Sequence, residues 1–167
     1  MQEYTVRKYT FFKEDSSLLP LGTGKLSDIY SSECNAKYHS LCIGQLITLF
    51  GKADRRTDSY EDLISYTIGA KDQDGNTLIL EAYHGPSGPA IGGEHSNPDA
   101  KIAARELAEL IRYAKPSDYG ISCIYEDFPS IIFMGVKDGE PYYDFKISPV
   151  FWGIRRIVVG MKRIFVK

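Results

Sequence analysis

The sequence predicts an α+β fold: a single domain with an antiparallel sheet, made of hairpins and a C-terminal meander, and two to three helices packed on it. Three observations carry this. Strand-like segments come in consecutive pairs joined by turn residues, Tyr60–Ala70 with Thr77–His84 and then a run of three between Tyr119 and Ile147, whereas a parallel sheet requires a crossover, usually a helix, between its strands. Helical spacing with end signals is clearest in two places, Leu41–Phe50 and the stretch after Asn97. The length of 167 residues, with 43% apolar and 25% charged side chains, suits one globular unit that buries roughly 68–70% of its unfolded surface.

From the N-terminus, Glu3–Lys13 mixes aromatic and β-branched residues with charges, which predicts one strand with a wet face. Glu14–Tyr38 contains Pro20, Gly22 and Gly24 among scattered polar residues and reads as a long irregular connection. Its Gly22-Thr23-Gly24-Lys25 string is followed by Leu26, so it lacks the GxxxxGK[ST] pattern of a phosphate loop. Ser40 is placed to cap a helix over Leu41–Phe50, in which Cys42, Leu46, Leu49 and Phe50 share a face and Gly51 marks the stop.

In Tyr60–Ala70, Ile64, Tyr66, Ile68 and Ala70 alternate with Ser65, Thr67 and Gly69, and Lys71–Asn76 supplies turn chemistry before Thr77–His84 returns as the partner strand. Gly85–Gly93 holds four glycines and two prolines, which predicts a turn-forming loop and not a strand. Asn97-Pro98-Asp99 then opens a helix as cap, first-turn proline and dipole-matched acid. The helix runs to Ala114, with Ala103, Leu107, Leu110, Ile111 and Ala114 on its core face. Tyr119–Glu126, Ile131–Val136 and Tyr142–Ile147, separated by Phe128-Pro129-Ser130 and Asp138-Gly139, complete the meander.

The last nineteen residues carry five cations and no acid, which leaves 15 cations against all 22 acids in the first 148 residues. An acidic body argues against nucleic acid as the partner. In the tail, Phe151, Ile154, Val158, Met161 and Phe165 recur at helical spacing opposite Arg155, Arg156, Lys162 and Arg163, an amphipathic basic segment that packs on the body or serves a membrane or partner surface; its β-branched content leaves a strand open. A membrane span is not expected, because four cations interrupt the longest apolar stretch. The N-terminal residues lack the apolar run of an export signal, and the three cysteines, Cys34, Cys42 and Cys123, follow no metal spacing. The expected location is the cytoplasm.

Candidate chemistry is sparse. His84, His95, Glu81 and Glu94 flank the glycine-rich segment and form the best catalytic or metal-binding constellation on offer, without HxH or HExxH spacing. Cys34, His39 and Cys42 lack a spacing that fixes a base beside a thiol, and Gly85-Pro86-Ser87-Gly88 is no nucleophile elbow. The sequence therefore predicts no catalytic residue, no cofactor and no metal. More prominent are acids near turns and strand starts, Asp54, Asp58, Glu61, Asp62, Asp72, Asp74, Glu126, Asp127, Asp138 and Glu140, accompanied by Tyr142 and eleven further tyrosines. Acids that speed encounter and aromatics that supply anchoring area suit an interface for a basic protein. A solvated acidic surface with core tyrosines is the plainer reading of the same residues.

The stretches IGQLITLFG (43–51), YEDLISYTIGAKDQDG (60–75), LEAYHGPSGPAIGG (80–93) and VKDGEPYY (136–143) resemble those of small bacterial immunity proteins that accompany polymorphic and contact-dependent growth-inhibition toxins. The resemblance covers residues 40–147 and rests on glycines and turns. It implies a cytoplasmic, non-enzymatic protein that binds one cognate toxin domain, often a basic nuclease, in a 1:1 complex. The competing expectation is a small enzyme or ligand-binding module centred on residues 85–93 with His84 and His95.

Overall fold

A computed structural model of the chain describes residues 2–18, 24–30, 36–56, 64–85, 88–125 and 130–147. Its centre is the expected hairpin. Strand β5 (Ile64–Lys71) pairs antiparallel with β6 (Thr77–Gly85) along its whole length, from Ile64 opposite His84 to Lys71 opposite Thr77. Alternation sets the inner face, where Tyr66, Ile68, Ala70, Leu80 and Ala82 are fully buried. Gly75, at φ +89, and the Asp72 carboxylate, which accepts the Asp74 and Asn76 backbone N–H groups, shape the turn.

Outward from β5, the segment expected as one strand is a hairpin. β1 (Glu3–Val6) and β2 (Tyr9–Lys13) are linked by Arg7 and Lys8, with Arg7 at φ +36. Neither residue is a turn former by composition. The buried Glu106 carboxylate accepts the backbone N–H groups of Lys8 and Tyr9, at 3.2 and 3.3 Å, and so holds the turn from a distant helix. A two-residue strand, β4 (Arg55–Arg56), shares the same edge of β5.

On the other side two elements depart from expectation. Gly88–Gly93 is not a loop but strand β7, entirely buried and paired with β6 on one side and with β3 (Gly24–Asp28) on the other. β3 itself lies within the stretch read as irregular. Small residues are what this position needs: a Cβ on Gly93 would sit 2.7 Å from Leu26 Cδ1 and 3.0 Å from Leu80 Cδ2, so a side chain there would displace the core. The sheet order is β1-β2-β5-β6-β7-β3.

Two helices cover this sheet. α1 (Ala36–Phe50) starts before Ser40, which is not the cap but a buried residue inside the helix; its Oγ donates to the Tyr142 carbonyl at 3.1 Å. Cys42, Ile43, Leu46, Leu49 and Phe50 face the core, and Gly51 at φ +68 ends the helix. α2 (Pro98–Tyr113) begins as the sequence dictates, with the Asn97 side chain accepting the Asp99 N–H at 2.9 Å. Its buried stripe is Ala100, Ala103, Ala104, Glu106, Leu107, Ala108 and Ile111, with Leu110 and Ala114 partly buried beside it. Gln45 joins the helices: it accepts from the Tyr30 hydroxyl and donates to the Arg112 carbonyl.

The meander β8 (Tyr119–Tyr125), β9 (Ser130–Lys137) and β10 (Glu140–Ile147) forms a sheet of its own, ordered β10-β9-β8, with Met134 and Val136 buried and α1 packed against β9 and β10. The α+β class is as expected, with the antiparallel strands divided between two sheets. No helix among the described residues is long and apolar enough to cross a membrane. The basic tail, residues 149–167, lies outside the described residues.

Candidate functional site

The acids singled out by the sequence do different work in the structure. Asp54 is a structural group: its side chain, 13% exposed, pairs with Lys13 Nζ at 3.0 Å and accepts the Thr67 N–H at 2.6 Å. Asp72 is occupied with its own turn, and its hydrogen bond from the Asn76 side chain holds its carboxyl below the ordinary aspartate range. Asp74 is exposed at that turn. Asp58, Glu61, Asp62, Glu126 and Asp127 lie outside the described residues.

Asp138, Glu140 and Tyr142 stand together at the start of the last hairpin. Asp138 and Gly139, at φ +55 and +78, make the two-residue turn that joins β9 to β10. Asp118 accepts the N–H groups of both turn residues, at 3.1 and 3.3 Å, which fixes the hairpin tip and places a third carboxylate beside it. Along β10, Glu140, Tyr142 and Asp144 share one face by the two-residue period of a strand and are exposed.

The register adds a feature the sequence reading missed. Tyr142 pairs with Gly135, and Gly135 pairs with Gly120, so one tyrosine and two glycines form a row across the three strands. The Tyr142 ring lies over both glycines. A Cβ built on Gly135 would stand 2.7 Å from the Tyr142 Oη, and one on Gly120 would stand 2.8 Å from it. With 40% of its surface exposed, Tyr142 is therefore a ring laid across the sheet, in space that side chains at Gly135 and Gly120 would otherwise fill, with part of its surface open to solvent. Counting back from the Asp138-Gly139 turn sets Gly135 opposite Tyr142, but the place of Gly120 beside them needs the β8–β9 register. Asp118, just outside a strand, left no comparable signal.

The Asp72–Asp74 turn joins β5 to β6 of the large sheet, whereas Asp138, Glu140 and Tyr142 belong to the hairpin of the small one, so the candidate acids are divided between two sheets.

The competing constellation is not assembled. His84, 2% exposed, sits opposite Pro89 near the start of β7, while His95 follows the end of that strand with its ring against Gly24. The strand between them spans on the order of 15 Å. Gly92 and Gly93 belong to β7, where both are register partners of β3 residues, Lys25 and Gly24. Cys42 is fully buried in the core, and Cys34 lies outside the described residues. Among the described residues no group of three or more His, Cys, Asp or Glu side chains is placed to hold a metal ion.

A second surface feature is apolar. Tyr4 and Val6 of β1, Leu49 of α1, and Leu110, Tyr113 and Ala114 at the end of α2 line an open groove of about 380 Å³. Tyr113 is 86% exposed. At the rim, Arg7 pairs with Glu109 at 3.0 Å.

Comparison with known proteins returns no match: no family model, no curated protein and no solved structure matches the chain.

Proposed function

We propose that the chain is an immunity protein that neutralises a cognate bacterial toxin domain by binding it 1:1, with the β9–β10 hairpin as a principal contact. The observation that supports this reading best is the acidic patch around Tyr142: Asp118 and Asp138 at the tip, Glu140 on the strand, and a tyrosine ring laid over Gly135 and Gly120. A basic surface is its natural complement. An arginine stacked on the tyrosine face with carboxylates at its flank gains cation–π and ionic attraction together, and the acidic field steers a cationic domain toward the hairpin. A basic toxin, a cytoplasmic site of action and a non-enzymatic mode are also what the resemblance to immunity proteins implies, and the patch bears on the first of these.

The test is co-purification with the C-terminal region of the protein encoded by the adjacent reading frame. The expected result is a 1:1 complex of nanomolar affinity or tighter, about -12 kcal/mol or more, in which the toxin activity is lost. A toxin region that stays active in the presence of stoichiometric protein would overturn the proposal.

A further inference from the structure

The two strands of the first hairpin are held by different means. In β2, Tyr9 and Phe11 are 1% and 0% exposed, and the strand pairs with β5 on its far side. β1 is four residues long, lies at the end of the sheet order and has no fully buried side chain: Tyr4 and Val6 are half-buried, Glu3 and Thr5 exposed. Tyr4 and Val6 line the open groove shared with Leu49, Leu110 and Ala114 and do not fill it.

Polar contacts stand where that packing is missing. Asp99, Glu106 and Glu109 of α2 all reach the turn between the strands. Asp99 pairs with Lys8 Nζ at 3.2 Å, Glu109 pairs with Arg7 at 3.0 Å, and Glu106 accepts the N–H groups of Lys8 and Tyr9. The two ion pairs are exposed, and exposed pairs contribute little. Glu106 is buried, so its charge-assisted bonds to the backbone are the strong member of the set. Arg7 is meanwhile held at φ +36, in the left-handed region that a long side chain rarely adopts. The turn is therefore kept by its fastening to α2 and not by its own sequence.

We propose that β1 is a strap that opens from the sheet on its own, hinged at Arg7-Lys8, with Glu106 as the latch that keeps it shut. Few buried apolar contacts give a segment a low opening free energy, and the buried Tyr9 and Phe11 set the boundary of the opening at β2. Opening bares the edge of β2 and joins it to the groove, so that Leu49 of α1 and Leu110 and Tyr113 of α2 line one apolar trough beside an unpaired strand. The device lies in the large sheet and α2 and does not depend on the toxin reading.

Residue-resolved amide hydrogen exchange on the full chain is the test. In the parent, the amides that join β1 to β2 are expected to exchange at least about tenfold faster than those that join β5 to β6, through openings insensitive to denaturant. Glu106→Gln replaces a charged acceptor with a neutral one and should speed the β1–β2 exchange about tenfold further, with β5 and β6 unchanged. Thr5 and Thr10 stand opposite each other with their hydroxyls 3.0 Å apart, so Thr5→Cys/Thr10→Cys can close a disulfide across the two strands. Its oxidised form, with Glu106 in place, should slow the β1–β2 exchange toward the β5–β6 rate. In the parent, β1–β2 amides as slow as those of β5–β6 overturn the proposal, as does a disulfide that leaves their exchange unchanged. Exchange that Glu106→Gln does not alter, or speeds equally in every strand, overturns Glu106 as the latch.

Discussion

Carboxylates in the large sheet and in the small one hold opposite positions. In the large sheet, Asp54 is tied to Lys13 and to the Thr67 N–H, Glu106 is buried under the turn of the first hairpin, and Asp72 closes its own turn. In the small sheet Asp118 fastens the last turn, but Glu140 and Asp138 point to solvent around an exposed tyrosine. The same residue type is a structural fastening in one place and a displayed charge in the other. Composition near a turn does not distinguish them; the number of backbone N–H groups within reach does.

If this contrast is right, substitutions in the large sheet act on stability and those in the small sheet act on partner binding. The largest effect belongs to the core that joins helix and sheet. Leu107→Ala removes a fully buried side chain of α2 and should cost about 2–5 kcal/mol in denaturant unfolding. Asp54→Ala removes the carboxylate that pairs with Lys13 and leaves the Thr67 N–H without its Asp54 acceptor, Lys13 keeping the Lys52 carbonyl, and should cost about 1–3 kcal/mol by the same measurement. An Asp54→Ala variant as stable as the parent would move Asp54 into the displayed group. Asn97→Ala, which removes the cap of α2, should cost about 1 kcal/mol.

Asp72 gives the contrast a pH signature. Its folded carboxyl titrates below the ordinary aspartate value, so its contribution to stability is complete above the unfolded value near 4 and is lost as pH falls through the lower folded value. Melting temperature against pH should therefore fall less steeply below pH 4 in Asp72→Asn than in the parent. The smallest effect on stability, within about 0.5 kcal/mol, is expected for Glu140→Gln at its exposed site. His95→Gln should likewise leave toxin protection intact, and a folded variant that loses protection would reopen the catalytic reading.

The legible parts of the fold were those where local chemistry and tertiary structure agree. Asn97-Pro98-Asp99 opens α2, the alternation around Tyr66 and Ile68 makes β5, and Asp138-Gly139 turns the last hairpin. The first hairpin was hidden because its turn, Arg7-Lys8, is stabilised by Glu106 from nearly one hundred positions away. β7 was hidden because glycine and proline usually end strands, whereas here Leu26 and Leu80 occupy the space that a side chain on Gly93 would need. At the candidate site, residue type pointed to Asp138, Glu140 and Tyr142. The role of Gly120 and Gly135 emerged only with the register that lines them up beneath the ring.

The most direct test of the central claim is the rate of association with the cognate toxin domain, measured for the parent and for Asp138→Asn/Glu140→Gln/Tyr142→Ala across a range of salt. For the parent, association should slow as salt rises, since screening beyond about 8–10 Å weakens steering. The triple variant should associate more slowly at low salt, respond less to salt, and dissociate faster through loss of the tyrosine contact. Unchanged association and dissociation in a folded triple variant would contradict the account and place the toxin contact elsewhere on the molecule.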